Sequence, residues 1–199
     1  GFYNRYFDLG SAESLWTFGF NIKNIGTKIS YDNGGTSMFI PTNLSLGTGL
    51  LYPFDEYNAL AFNVEASKLL VPTPPVKDQA NPEAYDAARE KYLNTSSIAG
   101  IFTSWADAPG GFKEELQEVS LRLGAEYSYN NRFFLRAGYH YLHPDKGNLQ
   151  YFTAGAGFKM NVFSIDASYL VSTVQSNPLD QTLRFTIAFD FDGIRELLK

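Results

Sequence analysis

Five successive runs between residues 118 and 191 alternate polar and apolar residues, and this alternation limits the possible folds more than any other feature. The last run shows it most clearly, with one parity occupied by Leu183, Phe185, Ile187, Phe189 and Phe191. Successive side chains of a strand point to opposite faces, so each run has an apolar and a polar face. The runs reach about ten residues, the length that a tilted strand needs to cross a membrane. The pattern predicts an all-β fold, an antiparallel transmembrane β-barrel.

The number of predicted strands is odd. Eight runs follow an aromatic segment at residues 1–9, which we interpret as the tail of a further strand. Bacterial single-chain barrels have even strand numbers, so we predict that only about 8 to 9 strands of a larger barrel are present here. Residues 1–191 would then be the C-terminal part of one outer-membrane barrel domain, and residues 192–199 a periplasmic tail.

Short and long connections alternate along the chain. Short turns are predicted at Asp55, Asn130 and Asn161, and longer loops around Asn33 and at residues 72–111, 143–148 and 174–180. Outer-membrane barrels keep short turns in the periplasm and long loops outside, so we expect the long loops to be extracellular and the C-terminus periplasmic. The longest loop, residues 72–112, contains a predicted helix over residues 82–93, capped by Asn81 with Pro82 first.

The main alternative is a soluble barrel or sandwich, which alternates in the same way. Its outer face would be rich in Lys and Glu, whereas the polar parity here is mostly Gly, Ser, Thr and Asn. Charged residues make up 19% of the chain, below the roughly 25% of soluble domains. No window offers about 18 consecutive apolar residues, so a membrane-spanning helix is not expected. The composition therefore favours the membrane barrel.

The polar parity, which would line the barrel interior, carries charges that can pair. They are Lys23, Glu65, Arg122, Glu126, Arg136, His140, Lys159, Asp166 and Arg184. One lysine, Lys68, falls on the apolar parity near the end of its strand, where we expect its stem to reach the membrane interface.

One hairpin gives a sharp prediction of register. Like faces can pair across Asn130 only if the loop has an odd number of residues, which predicts a three-residue turn over residues 130–132 with a left-handed Asn. The opposed pairs would then be Glu126–Arg136 and Arg122–His140 on the polar face, and Leu123–Tyr139 on the lipid face.

Residues suited to catalysis or metal binding do not form a convincing site. His140, His143 and Asp145 come nearest to a metal set, but they lie on a strand and in a loop, and the chain has no cysteine. The acidic cluster of Glu114, Glu115 and Glu118 lacks a partner for acid–base chemistry and fits a docking patch better. A net charge of -5 disfavours nucleic acid. We therefore predict no enzymatic activity, no metal and no cofactor.

Several ordered strings resemble one known family. Residues 105–116 read WADAPGGFKEEL and resemble the DAPGGF-x-EEL segment of the PorV family, outer-membrane barrels of the type IX secretion system in Bacteroidetes. Similar strings occur at residues 24–29, 68–73, 135–139, 143–144, 146–148, 150–153, 155–159, 177–180 and 182–185. The resemblance implies a FadL-like barrel of about fourteen strands. The N-terminal part of such a barrel, with any plug segment, is expected to be missing from this chain.

The resemblance also implies a non-enzymatic role in secretion. Members associate with the translocon barrel, accept secreted cargo bearing a C-terminal signal domain, and deliver it to the sortase-containing attachment complex. Their surroundings are membrane lipids and lipopolysaccharide. By position, we expect cargo to contact the loops at residues 72–112 and 143–148. The expected contact residues are Trp105, Asp107, Pro109, Phe112, Glu114, Glu115, His143 and Asp145.

Two other functions stay open at this point. A FadL-like transporter of hydrophobic small molecules would need a continuous apolar pocket inside the barrel, and the charged polar parity argues against one. A purely structural membrane anchor for a partner complex is not distinguished from a cargo shuttle by the sequence.

Overall fold

The computed structural model describes residues 1–30, 36–77, 81–175, 177–191 and 193, and these residues form an all-β fold. The nine strands are β1 (Phe2–Leu9), β2 (Ala12–Lys23), β3 (Asn43–Pro53), β4 (Asn58–Leu69), β5 (Ser120–Tyr129), β6 (Phe133–Tyr141), β7 (Gln150–Lys159), β8 (Phe163–Ser172) and β9 (Leu183–Phe189). They form one antiparallel sheet in chain order, with β1 and β9 at its edges. The predicted all-β antiparallel class is confirmed.

Three helices lie between β4 and β5, and only the first was predicted. They are α1 (Pro82–Asn94), α2 (Ser97–Thr103) and α3 (Phe112–Gln117), and a 3-10 turn covers Pro144–Lys146. α1 begins as expected, because the Asn81 side chain accepts a hydrogen bond from the Ala84 N–H at 3.2 Å. No helix in the described ranges is long and apolar enough to span a membrane.

The predicted register of the β5–β6 hairpin is confirmed. Its loop is residues 130–132, and both Asn130 and Asn131 are left-handed, with φ of 51° and 50°. Asparagine adopts this conformation at lower cost than most residues. The opposed pairs are Glu126–Arg136, Arg122–His140 and Leu123–Tyr139. The alternation of faces therefore continues in phase from β5 into β6.

The beginning of β5 differs from the prediction. The run was expected to start at Glu118, but Glu118 caps α3 in a right-handed helical conformation, and β5 starts at Ser120. The Glu118 N–H donates to the carbonyls of Glu115 and Leu116, which ends the helix. The predicted loop around Asn33 and the tail at residues 192–199, except residue 193, lie outside the described residues.

The chain divides into two compact units. The first comprises Gly1–Gly19, Leu46–Ala66 and Ser120–Lys199, and the second comprises Phe20–Ser45 and Ser67–Val119. The first unit carries β1 and β5–β9 with most of β2, β3 and β4. The second carries α1, α2 and α3.

Large apolar side chains are exposed rather than packed into a core. Apart from proline and glycine, the buried hydrophobic residues of the described part are Leu70 and Ala108. Exposed apolar residues of β5–β9 include Leu121, Leu123, Leu135, Phe152, Ile165, Val171, Phe185 and Ile187. A soluble sandwich would bury such a face, whereas an extended exposed one indicates a membrane or a protein partner.

Candidate functional site

A buried ionic cluster lies at the end of β4 in the second unit. Lys68 is 5% exposed, and its Nζ lies 2.8 Å from Glu115 Oε2 and 2.5 Å from Glu118 Oε2. The expectation that its stem reaches the membrane interface is therefore wrong. Earlier in β4 the exposed apolar residues, Phe62 and Val64, have even numbers. At the end of the strand the exposed residue is Leu69, with an odd number. The even-numbered side chains are therefore no longer the exposed ones at Lys68.

Glu115 joins this cluster to the loop that precedes α3. Its Oε1 accepts hydrogen bonds from the backbone N–H groups of Asp107 and Ala108, both at 2.8 Å. Burial alone would raise the pKa of Glu115, but the hydrogen bonds from Lys68, Ala108 and Asp107 and the charge of Lys68 outweigh it and lower the pKa. Glu115 is therefore ionised at neutral pH.

Side-chain hydrogen bonds, one of them within the loop and two from Thr73, hold the segment at residues 107–111. The Asp107 carboxylate accepts from the Thr73 N–H at 3.0 Å and from the Thr73 hydroxyl at 3.1 Å. The Gly110 N–H donates to Glu114 Oε2 at 2.6 Å. Gly111 precedes α3 with φ of 70°, a conformation that favours glycine. The segment is thus fixed both by its own residues and by residue 73.

The helices α2 and α3 expose apolar side chains. Ile98 and Phe102 lie four residues apart on α2, and Phe112 and Leu116 have the same spacing on α3, so each pair shares one helix face. Trp105 follows α2, and all five side chains are more than half exposed. We name Ile98, Phe102, Trp105, Phe112 and Leu116 the α2–α3 apolar set. Such a set in a loop region is typical of a protein or membrane contact.

The structure divides the predicted contact residues between the two units. Trp105, Asp107, Pro109, Phe112, Glu114 and Glu115 lie in the second unit, and His143 and Asp145 lie in the first. Trp105, Pro109 and Phe112 are exposed, whereas Glu115 is buried and engaged by Lys68. His143 Nδ1 accepts a hydrogen bond from the Asp145 N–H at 3.3 Å within the 3-10 turn.

Sequence reasoning did not predict that Lys68 and Thr73 hold the segment, and it missed Ile98 and Phe102. The four-residue spacing of the last two was a signal that could have found them. The roles of Lys68 and Thr73 depend on contacts with residues far along the chain, and their own sequence neighbourhood carries no sign of them.

The first unit carries a charged network on the polar face of the sheet. Arg136 on β6 donates from Nε to Glu126 Oε2 at 2.5 Å and from Nη1 to Asp166 on β8. β7 lies between these strands, and Gly157 leaves the space, because a Cβ there would lie 2.9 Å from Arg136 Nη1 and against Asp166.

Further polar contacts on this face involve Arg122 and His140. Arg122 pairs with Glu65, and His140 contacts the Ser120 hydroxyl at 3.1 Å and the Tyr151 hydroxyl at 3.0 Å. No ion pair of Lys159 or Arg184 is found among the described residues. Six of the nine residues predicted on the charged polar parity therefore make side-chain contacts, namely Glu65, Arg122, Glu126, Arg136, His140 and Asp166.

The described ranges hold no group of three or more His, Cys, Asp or Glu residues placed to bind a metal ion. His140 is engaged by Ser120 and Tyr151, and His143 by the backbone of Asp145.

The first part of the chain matches a known family model. The family model described as type IX secretion system protein PorV matches residues 1–76. This range contains two of the resembling strings, residues 24–29 and 68–73, and it includes Lys68 and Thr73. No curated protein sequence matches the chain. The resemblance to the PorV family of type IX secretion system proteins is confirmed over residues 1–76.

Proposed function

We propose that this protein is a non-enzymatic outer-membrane barrel of the type IX secretion system. In this proposal it binds secreted cargo bearing a C-terminal signal domain at the translocon and passes that cargo to the sortase-containing attachment complex. The long loops are extracellular, and the C-terminus is periplasmic. The family match over residues 1–76 supports membership of the secretion system.

The exposed apolar face of β5–β9 supports a location in the membrane. β6 has nine residues, which span about 30 Å along the strand and roughly 25 Å across a bilayer when tilted. Aromatic pairs lie beside the short turns, at Tyr52–Phe54, Tyr57–Tyr129 and Phe133–Phe158. Aromatic side chains collect at the membrane–water interfaces of barrels. The strand length and the aromatic pairs at the strand ends are thus those expected of a lipid-facing surface.

The α2–α3 apolar set is the observation that carries the proposed cargo contact. Five large apolar side chains exposed on a loop region are costly in water unless a partner covers them. Lys68, Glu115 and Thr73 hold the backbone of this region, so the surface is ordered before a partner arrives. Preformed order lowers the entropic cost of binding.

The alternative, a transporter of hydrophobic small molecules, has less support. An open cavity of about 510 Å³ lies along the sheet of the first unit. Its lining includes Glu126, Arg136 and Asp166 beside small residues, among them Gly124 and Gly155. Charged side chains at this position favour water or polar groups over an apolar ligand.

The proposal is tested by replacing Trp105 and Phe112 with serine and measuring cargo capture. Buried aromatic residues dominate most protein interfaces, so we expect cargo co-purification to fall at least about tenfold. Mass spectrometry of the same pull-down from solubilised membranes identifies what remains bound. Translocon subunits should stay at the level of the unaltered protein.

The matched control is Ile25→Ser, an exposed apolar residue of the second unit outside the α2–α3 apolar set. It should leave cargo capture unchanged. Undiminished capture by the Trp105→Ser/Phe112→Ser variant would contradict the proposed contact. Bound lipid without any secreted protein would instead support the transporter.

A further inference from the structure

A half-open cavity of about 570 Å³ lies within the second unit, and its lining includes residues of α1 and of the proline-rich segment at residues 72–76. One wall is a stripe along α1, at Ala84, Tyr85, Ala88, Lys91 and Tyr92. This spacing follows one helix face, and from Ala84 to Tyr92 the stripe is about 12 Å long. Ala84 and Ala88 contribute only methyl groups to this wall, and Ala88 lies between the two tyrosines in sequence.

The opposite wall is rigid. It contains Pro72, Pro74 and Pro75, whose rings fix the backbone and present flat apolar surfaces. Thr73 anchors this wall through its two hydrogen bonds to Asp107. α1 is anchored separately, because Lys28 Nζ donates to the Leu93 carbonyl at 2.7 Å. The cavity is therefore preformed, and its volume falls within the range of small-molecule sites.

The two charged residues that line the cavity, Asp107 and Lys91, differ in whether another residue of the protein already pairs with them. Asp107 is one of its lining residues, but both carboxylate oxygens of Asp107 accept hydrogen bonds from Thr73. Lys91 also lines the cavity, and no ion pair of Lys91 is found within the described part of the chain. An anionic group on a ligand can therefore pair with the ammonium of Lys91. A cationic group would instead have to compete with Thr73 for the carboxylate of Asp107.

We propose that this cavity is a binding site for small aromatic carboxylates. The aromatic ring packs between the tyrosines of α1 and the proline wall, and the carboxylate pairs with Lys91. The site is separate from the α2–α3 apolar set, so its occupancy does not depend on the proposed cargo contact.

The test uses 4-phenylbutyrate as the probe and 4-phenylbutylamine as its charge-reversed counterpart. Binding to the purified protein in lipid nanodiscs is measured by titration calorimetry, with empty nanodiscs subtracted. We expect saturable binding of one phenylbutyrate per chain and about fivefold weaker binding of the amine, since one exposed ion pair is lost. Equal affinity for the two probes, or no saturable binding of either, would overturn the proposal.

Two variants locate the bound probe. Ala88→Trp should fill the cavity and abolish binding, whereas Ala87→Trp changes an exposed residue of the same helix that does not line it. Lys91→Glu should reverse the preference between acid and amine, and Lys113→Glu on α3 should not. Unaltered phenylbutyrate binding by Ala88→Trp would show that the probe binds elsewhere, against the proposal.

Discussion

Glu114 and Glu115 are adjacent residues of one type, yet the structure gives them different roles. Glu114 caps the N–H of Gly110 from a half-exposed position. Glu115 is buried and bridges Lys68 to the backbone of residues 107 and 108. The sequence predicted both as partner contacts, because the lysine that distinguishes them lies 47 residues away along the chain.

The first prediction concerns Lys68. Lys68→Met leaves Glu115 and Glu118 without their shared counter-charge, and removing one member of a buried ion pair costs about 3–5 kcal/mol. We expect residues 105–118 to open, with faster limited proteolysis in this segment while the strands stay protected. Lys113→Met, which removes an exposed lysine of α3, is the control. Equal protease resistance of both variants would count against the bridging role.

The second prediction concerns pH and Glu115. Its pKa is lowered in the folded state, so its stabilisation is complete above the ordinary pKa of 4.5 and is lost as the pH falls through the lowered value. The N–H groups of Asp107 and Ala108 should therefore lose hydrogen-exchange protection on acidification below this range. In Glu115→Leu, which has no oxygen to accept these two hydrogen bonds, the protection should be low already at neutral pH and should change little with acid. If this variant lost protection with acid in the same way as the unaltered protein, ionised Glu115 would not be the group that protects these N–H groups.

At the scale of the element, Gly157 on β7 leaves the space through which Arg136 on β6 reaches Asp166 on β8. Gly157→Ala should displace the Arg136–Asp166 pair and cost about 1 kcal/mol or less, because both side chains are partly exposed. The double variant with Asp166→Asn should be no less stable than either single variant, since one interaction is lost in all three. Denaturant unfolding measures the free energies.

Gly124→Ala is the matched control for the glycine, because its new Cβ meets only Asn63 Cβ, at 3.9 Å. It lies on the same polar face of the sheet, on β5. An equal loss of stability from Gly124→Ala and Gly157→Ala would mean that the crossing ion pair is not the cause.

The strands could be predicted from the sequence, and the loop structure could not. Period-two alternation is a local property, so β6 and the hairpin register followed from residues 118–141 alone. α1 was also predictable, because Asn81 and Pro82 mark its start locally. α2 and α3 are only seven and six residues long, too short for a strong periodic signal, and α3 is held by Lys68 from another element.

At the scale of the whole molecule, the two faces of the sheet should respond oppositely to added charge. Phe185 and Thr186 are neighbours on β9 with opposite parity, and Thr186 faces Asp166 on β8. Phe185→Arg should cost about 2–4 kcal/mol in a bilayer, whereas Thr186→Arg should cost little. The measurement is unfolding by urea in lipid vesicles, followed by the electrophoretic shift of the folded form. Similar costs for both variants would argue against a lipid-facing apolar parity.

The contact between Lys68 and Glu115 also changes the mechanics of the long connection between β4 and β5. It ties together points 47 residues apart, so that most of this stretch behaves as a closed ring instead of a free coil. A force applied at Phe112 is then transmitted to β4 through Glu115 and Lys68, without first extending the rest of the connection. Cargo held at this surface, as proposed, would load the end of β4 almost at once when pulled, and the tension would be released only when the contacts of Lys68 and Thr73 rupture.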